Sequence, residues 1–310
     1  QEGTGLHLLD CATGEVRRVD VAIPGTRPDL RPRRIDVSSQ VQSWDVGPTG
    51  KRAVVQARGD VWTLPARDGA PRNLTRTSGV AERSPAWSPD GRWIACFSDA
   101  TGEYELTLLA ADGSAGPRRL TSGGDAFRFA PQWSPDSKRI AFTDKASRLW
   151  LADVGTGETL LVDQDPLVEE EGMGPVSWSH DSRWIAYARA GDRVRHRTVR
   201  LYEVATRTST PVTSDLFDAS SPAFDRAGEW LVFASSRHFS PRYADLDDTW
   251  IYAKTQVLLL VPLRVDGASP FLAKSDEEEP AASGEAAGGK EEAGEEEAGK
   301  APGGDRGKGG

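Results

Sequence analysis

Cysteine and histidine are scarce in this chain of 310 residues, which holds two of the first and four of the second. Cys11 and Cys96 are too few for a disulfide framework. Cys11 sits in the turn-like Asp10-Cys11-Ala12-Thr13-Gly14 and Cys96 in an apolar run, so they read as separate thiols. Long apolar runs are missing too. Runs such as Val257-Leu258-Leu259-Leu260-Val261, among the longest, are strand-sized and far short of the ~18–20 residues of a membrane span. Positive charge is not in excess either. The net charge is −9, and residues 275–310, with eleven Asp/Glu and four Lys/Arg, carry −7 of it. The remainder is nearly neutral, so no basic field attracts nucleic acid. No window sustains a 3.6-residue period, which argues against helical repeats.

Recognisable catalytic and ligand motifs are equally thin. A Gly-x-Ser-x-Gly elbow is absent, and no Gly-rich phosphate loop follows a strand. His7 lies in a terminal strand, His180 in a turn, His196 among arginines and His238 after Ser235-Ser236-Arg237. Each reads as an ordinary turn, strand or loop residue rather than as a member of a Ser-His-acid set. Asp245-Leu246-Asp247-Asp248 is acidic but lacks the Gly and terminal Glu of an EF-hand loop, and reads as a solvated loop. No cofactor, metal or catalytic residue is expected. The segment Asp192-Arg193-Val194-Arg195-His196-Arg197 is the one candidate contact site. Arg193, Arg195 and Arg197 suit an acidic partner or the carboxylate end of a peptide; a solvated hairpin is the alternative.

What the chain has is a repeat. Pro85-Ala86-Trp87-Ser88-Pro89-Asp90-Gly91-Arg92-Trp93-Ile94-Ala95-Cys96-Phe97 recurs from Pro131 and, with His180 in the Pro place, from Val176. Worn copies begin at Trp44 and Pro222. The repeat points Val46, Trp87, Trp133, Trp178 and Phe224 are 41, 46, 45 and 46 residues apart. That is the length of a four-stranded propeller blade. The chemistry agrees. Pro presets φ, Asp bonds its own backbone and Gly accepts positive φ, which makes a turn. The apolar run after it suits a strand buried on both faces. Further strands follow, such as Glu105-Leu106-Thr107-Leu108-Leu109, and a Leu-Thr pair closes several units. The fold class is therefore all-β: blades of four antiparallel strands.

The ends differ from the middle. Residues 1–40 read as the last strands of a preceding propeller plus a Pro/Arg-rich connector, residues 41–274 as five blades, and residues 275–310 as a disordered acidic segment without aromatics. The chain begins at Gln1 with no Met and no signal-peptide pattern, which reads either as a removed leader or, the favoured expectation, as an internal piece of a longer protein.

The segments between the turns are more specific. Ala57-Arg58-Gly59-Asp60-Val61-Trp62 with Pro71-Arg72-Asn73-Leu74-Thr75 through Val80-Ala81-Glu82-Arg83, Phe97-Ser98-Asp99-Ala100-Thr101-Gly102-Glu103-Tyr104, and Thr249-Trp250-Ile251-Tyr252 through Pro270-Phe271 resemble the tricorn protease family. The resemblance covers most of residues 1–275. It implies a six-bladed propeller followed by a seven-bladed one, then PDZ-like and serine-protease domains. This chain would hold an incomplete seven-bladed propeller that gates or guides peptides and unfolded polypeptide to protease domains outside it. The family's catalytic serine, histidine and glutamate have no counterparts here. The protease and PDZ-like domains of the parent chain are the implied partners, and a homo-oligomer is left open. The implied compartment is the cytoplasm, with an exported or periplasmic location as the alternative. A TolB-like scaffold that binds proteins without hydrolysis is the second reading, and a prolyl-oligopeptidase-type propeller a distant third.

Overall fold

The computed structural model describes residues 5–22, 24–25, 35–129, 131–167, 173–192, 194–239, 241–243, 250–267, 269–271 and 276. Gln1–Ala268 form one compact unit and Ser269–Gly310 a second. Of the second, Phe271 lies exposed in a turn. The expected disorder of residues 275–310 and the Asp245–Asp248 cluster fall outside the described residues, apart from Asp276.

The first unit is built of antiparallel strands. A leading hairpin pairs β1 (Leu6–Leu9) with β2 (Val16–Val19). Five sheets follow in chain order. The first joins β3 (Val41–Val46), β4 (Arg52–Ala57), β5 (Asp60–Pro65) and β6 (Arg72–Asn73). The second joins β7 (Glu82–Trp87), β8 (Trp93–Ser98), β9 (Glu105–Ala110) and β10 (Arg118–Arg119). The third joins β11 (Gln132–Trp133), β12 (Arg139–Thr143), β13 (Arg148–Asp153) and β14 (Thr159–Gln164). The fourth joins β15 (Ser177–Trp178), β16 (Trp184–Ala190), β17 (Arg197–Glu203) and β18 (Thr208–Pro211). The fifth differs from the four-strand expectation. It joins β19 (Ala219–Phe224), β20 (Trp230–Ser236) and β23 (Gln256–Pro262), with a separate hairpin of β21 (Pro241–Tyr243) and β22 (Trp250–Tyr252) inserted before its last strand.

The repeated turn closes the first hairpin of each sheet. In the second sheet the Ser88 N–H donates to the Trp93 carbonyl at 2.8 Å, and the Trp93 N–H returns to Ser88 Oγ at 2.9 Å. Ser88 Oγ donates to Asp90 Oδ1 at 2.6 Å, which also accepts the Arg92 N–H at 3.0 Å. Gly91 supplies the left-handed φ of 77° that ends the turn. Ser134 with Asp136, and Ser179 with Asp181, repeat the pattern. In the worn fifth copy Asp225 does both jobs: its Oδ1 accepts the Glu229 and Trp230 N–H groups, each at 2.8 Å.

The central apolar runs are buried on both faces because each serves two cores. On β8, Ile94 and Cys96 join Val54 and Val61 of the first sheet, whereas Ala95 and Phe97 join Ile140 and Phe142 of the third. On β12, Ala141 turns the other way, toward Ile185 and Tyr187. On β16, Ala186 meets Leu231 and Phe233. Side chains alternate along a strand, so a period of two sorts them between neighbours. Burying each of the larger ones contributes about 1.5–3 kcal/mol. Polar stitches join the same neighbours. The Trp133 and Trp178 indoles donate to the Ala86 and Gln132 carbonyls at 3.0 and 3.3 Å. The repeat-point tryptophans are thus blade-packing residues.

The two terminal sheets have only one such neighbour. Trp44, Val55 and Trp62 lie opposite one another on one face of the first sheet, and Trp44 is 69% exposed. Leu258 of the fifth is 78% exposed. Among the described residues, no strand pair in extended contact joins the first sheet to the fifth, and the row is not closed.

Candidate functional site

Antiparallel order gathers two kinds of connection at opposite ends of the sheets. The Ser-Pro-Asp-Gly turns share one end. At the other lie the links between second and third strands and the links from one sheet to the next. The first end is repetitive. The second is individual to each sheet and rich in buried charge, which makes it the candidate interaction face.

Glu105 opens β9 there and is buried with Arg128, whose Nη1 donates to Oε2 at 2.6 Å. Thr121 Oγ1 and the Gly124 N–H also donate to the carboxylate, the latter at 2.8 Å. Burial alone would raise the Glu105 carboxyl. These hydrogen bonds and the Arg128 charge outweigh it and hold the carboxyl below its usual range. A Cβ at Gly124 would stand 2.7 Å from Arg128 Nη2, so a larger residue there would push the guanidinium from its place against Glu105. Thr121 belongs to the Leu-Thr pair seen in the sequence. Its hydroxyl also caps the Leu106 N–H at 2.9 Å, as Thr75 and Thr213 cap Val61 and Val199.

Arg83, on β7, is stacked by aromatic rings. Its guanidinium carbon lies 3.7 Å from the Phe127 centroid, 4.2 Å from Tyr104 and 5.3 Å from Phe97. It donates to the Arg128 carbonyl, while its buried Nε has no acceptor among the described residues. Burial pushes its pKa down to about 10. Phe127 is 44% exposed above it. In the third sheet Arg148 reaches Asp144 at 2.7 Å and also Asp125. In the fourth, the Tyr187 hydroxyl donates to Asp163 at 2.6 Å, with Arg189 Nε 3.3 Å from the same carboxylate. Burial raises the Tyr187 phenol, and the Asp163 bond adds to that.

Glu82 opens β7 and is 3% exposed. It sits in a row with Ser98 and Glu105, each opposite the next on three adjacent strands. Its carboxylate accepts from Thr77 Oγ1 at 3.0 Å and from Ser98 Oγ at 3.3 Å, and no cation lies within ion-pair distance among the described residues. Burial therefore raises its pKa; the Thr77 and Ser98 hydroxyls oppose this only in part.

Of the arginines singled out in the sequence, Arg193 lies outside the described residues. Arg195 is exposed in the link between β16 and β17 at this same end. Arg197 begins β17, half-buried, with its N–H donating to Asp218 at 2.9 Å. His196 Nδ1 is 3.1 Å from the Asp215 carbonyl. Cys11 and Cys96 are free, the first exposed and the second buried. Sequence reasoning passed over Glu82, Arg83, Glu105 and Arg128. The available signal was a carboxylate at the first position of an apolar strand, in Glu105-Leu106-Thr107-Leu108.

The profile of the tricorn protease second beta propeller domain matches residues 41–299. The chain belongs to this family. Tricorn protease homolog 1 of Streptomyces coelicolor is 28% identical over 272 residues, covering 86% of this chain and 25% of its own length. In fold, the chain resembles the crystal structure of the tricorn protease with a TM-score of 0.68 at 14% identity, covering 86% of this chain and 26% of that one. The chain thus spans about a quarter of the length of the relatives it matches. The tricorn-type blades form a propeller scaffold, with a repetitive end and a charged, individual end.

Proposed function

We propose that this tricorn-type propeller handles extended polypeptide for a serine peptidase whose catalytic domains lie outside the chain. It guides or gates peptides and does not itself cut them. Membership of the second-propeller family carries this reading. The placement of Arg195 and Arg197 beside other individual loops supports it, since an arginine fork suits a peptide carboxylate. Further blades of the parent polypeptide cover the apolar faces at Trp44 and Leu258. PDZ-like and protease domains of that polypeptide are the partners, and the cytoplasm is the compartment.

The test is equilibrium binding of extended peptides to the chain, with and without a free carboxyl end, monitored alongside cleavage. Binding without hydrolysis is expected, several-fold weaker in the Arg195→Glu/Arg197→Glu variant. Unchanged affinity in that variant removes the arginines from the reading. Hydrolysis by the pure chain, or no peptide binding at all, overturns it.

A further inference from the structure

A cavity of about 220 Å³ runs in beside Glu82. Ala100, Leu109 and Pro117 give it apolar walls, and Thr77, Ser98 and Thr107 line it with hydroxyls. It lies beside the core shared by the first two sheets. For scale, an apolar cavity of about 150 Å³ holds a benzene molecule. The space fits a four-carbon stem with a polar head.

Charge decides what that head is. A carboxylate removed from water normally brings a cation with it, or it is costly to keep. Glu105, which also lines the cavity, has Arg128. Glu82 has only hydroxyl donors, so its acceptor capacity is not used up: a carboxylate offers about four lone-pair sites. Asp60, nearby on β5, adds negative potential rather than relieving it. Arg119 lines the cavity from the exposed strand β10. An ammonium group placed at Glu82 would gain a charge-assisted hydrogen bond and share its other N–H groups among Ser98 and Thr107.

We propose that the Glu82 cavity is a binding site for a primary ammonium on a short alkyl stem, as carried by a lysine side chain or a peptide α-amine. The stem lies along Ala100, Leu109 and Pro117, and the ammonium meets the Glu82 carboxylate. This site stands apart from the arginine hairpin, and its test does not depend on peptide binding there.

The experiment titrates the chain with n-butylammonium and, separately, with n-butanol, by calorimetry and ligand-observed NMR. The ammonium binds saturably, and the alcohol at least about tenfold more weakly. Glu82→Gln removes that preference. Ala100→Leu fills the stem position, keeps the carboxylate and also weakens the ammonium. It decides the matter if Glu82→Gln does not fold. Displacement of the probe by N-acetyl-lysine amide assigns the side chain as the natural source; displacement by a lysine-free dipeptide amide with a free amine assigns the α-amine. Equal affinity for the two probes, no saturable binding, or unchanged binding in the folded variants overturns the proposal.

Discussion

The backbone N–H of Asp90 donates to the hydroxyl of Ser137 at 3.0 Å, across 47 residues of chain. Asp136 and Ser182 repeat the link at 3.0 Å one sheet later. Ser137 and Ser182 occupy the position that Gly91 fills in the second sheet, at left-handed φ values of 60° and 61°. Serine there costs conformational energy that glycine would not, and returns a hydrogen bond between neighbouring turns.

Two variants separate those terms. Ser137→Ala keeps the strained backbone and loses the bond, so it destabilises by about 1–2 kcal/mol. Ser137→Gly loses the bond but relaxes the backbone, and is the milder of the two. Denaturant unfolding reads the order, and the reverse order would show that the link contributes little.

Gly228 ends the fifth turn at φ 72°, against the ring of His180. A Cβ at Gly228 would fall inside contact distance of that ring. Gly228→Ala is expected to cost about 1–3 kcal/mol. In a His180→Ala background the clash disappears and only the backbone component remains. A double-mutant cycle measures the coupling, and strict additivity would refute the steric account.

Removing Arg128 strands a buried carboxylate. Arg128→Met lowers stability by about 3–5 kcal/mol, and adding Glu105→Gln recovers much of that loss. The sign with pH is defined. The Glu105 pKa is held below its ordinary value of 4.5, so its stabilisation is present above that value and lost as pH falls further. Arg128→Met abolishes this acid-side loss, which thermal unfolding between pH 3 and 7 (roughly the carboxylate range) would reveal.

Glu82 has the opposite sign. Its pKa is raised above 4.5, so the folded chain holds the proton to higher pH than the unfolded chain does. Stability from this group is complete below 4.5 and falls as pH rises through the raised value. Glu82→Gln is therefore more stable than the parent at neutral pH, with the gap closing toward pH 4.5. A gap that widens on acidification would sink the assignment.

The turns and the strands after them were legible because their chemistry is local. Ser88, Asp90 and Gly91 bond within a few residues, and a run such as Ile94-Ala95-Cys96-Phe97 declares burial on two sides. The tryptophans were legible as packing residues through their spacing alone. The hairpin inserted before β23 was not, because the fifth unit's apolar runs resemble those of the other units. Nor were the buried charges. Glu105 meets Arg128 across 23 residues and a loop, and Arg83 finds Phe127 from another sheet connection. Such partners are set by the stacking of sheets, which a linear pattern of polar and apolar residues does not encode. The arginine hairpin is legible because its charges cluster at alternate positions, whereas Glu82 is a single carboxylate at a strand start.

The double allegiance of β8, β12 and β16 has a thermodynamic consequence. A strand that serves two cores cannot open without disturbing both neighbours, whereas the first and fifth sheets each detach at the expense of one. The row should behave as a nearest-neighbour chain that unzips from its ends. Amide exchange would then be slowest on these three strands and graded outward toward β3 and β23. A substitution such as Phe97→Ala would be felt in the third sheet more than in the first, since that side chain faces only one way.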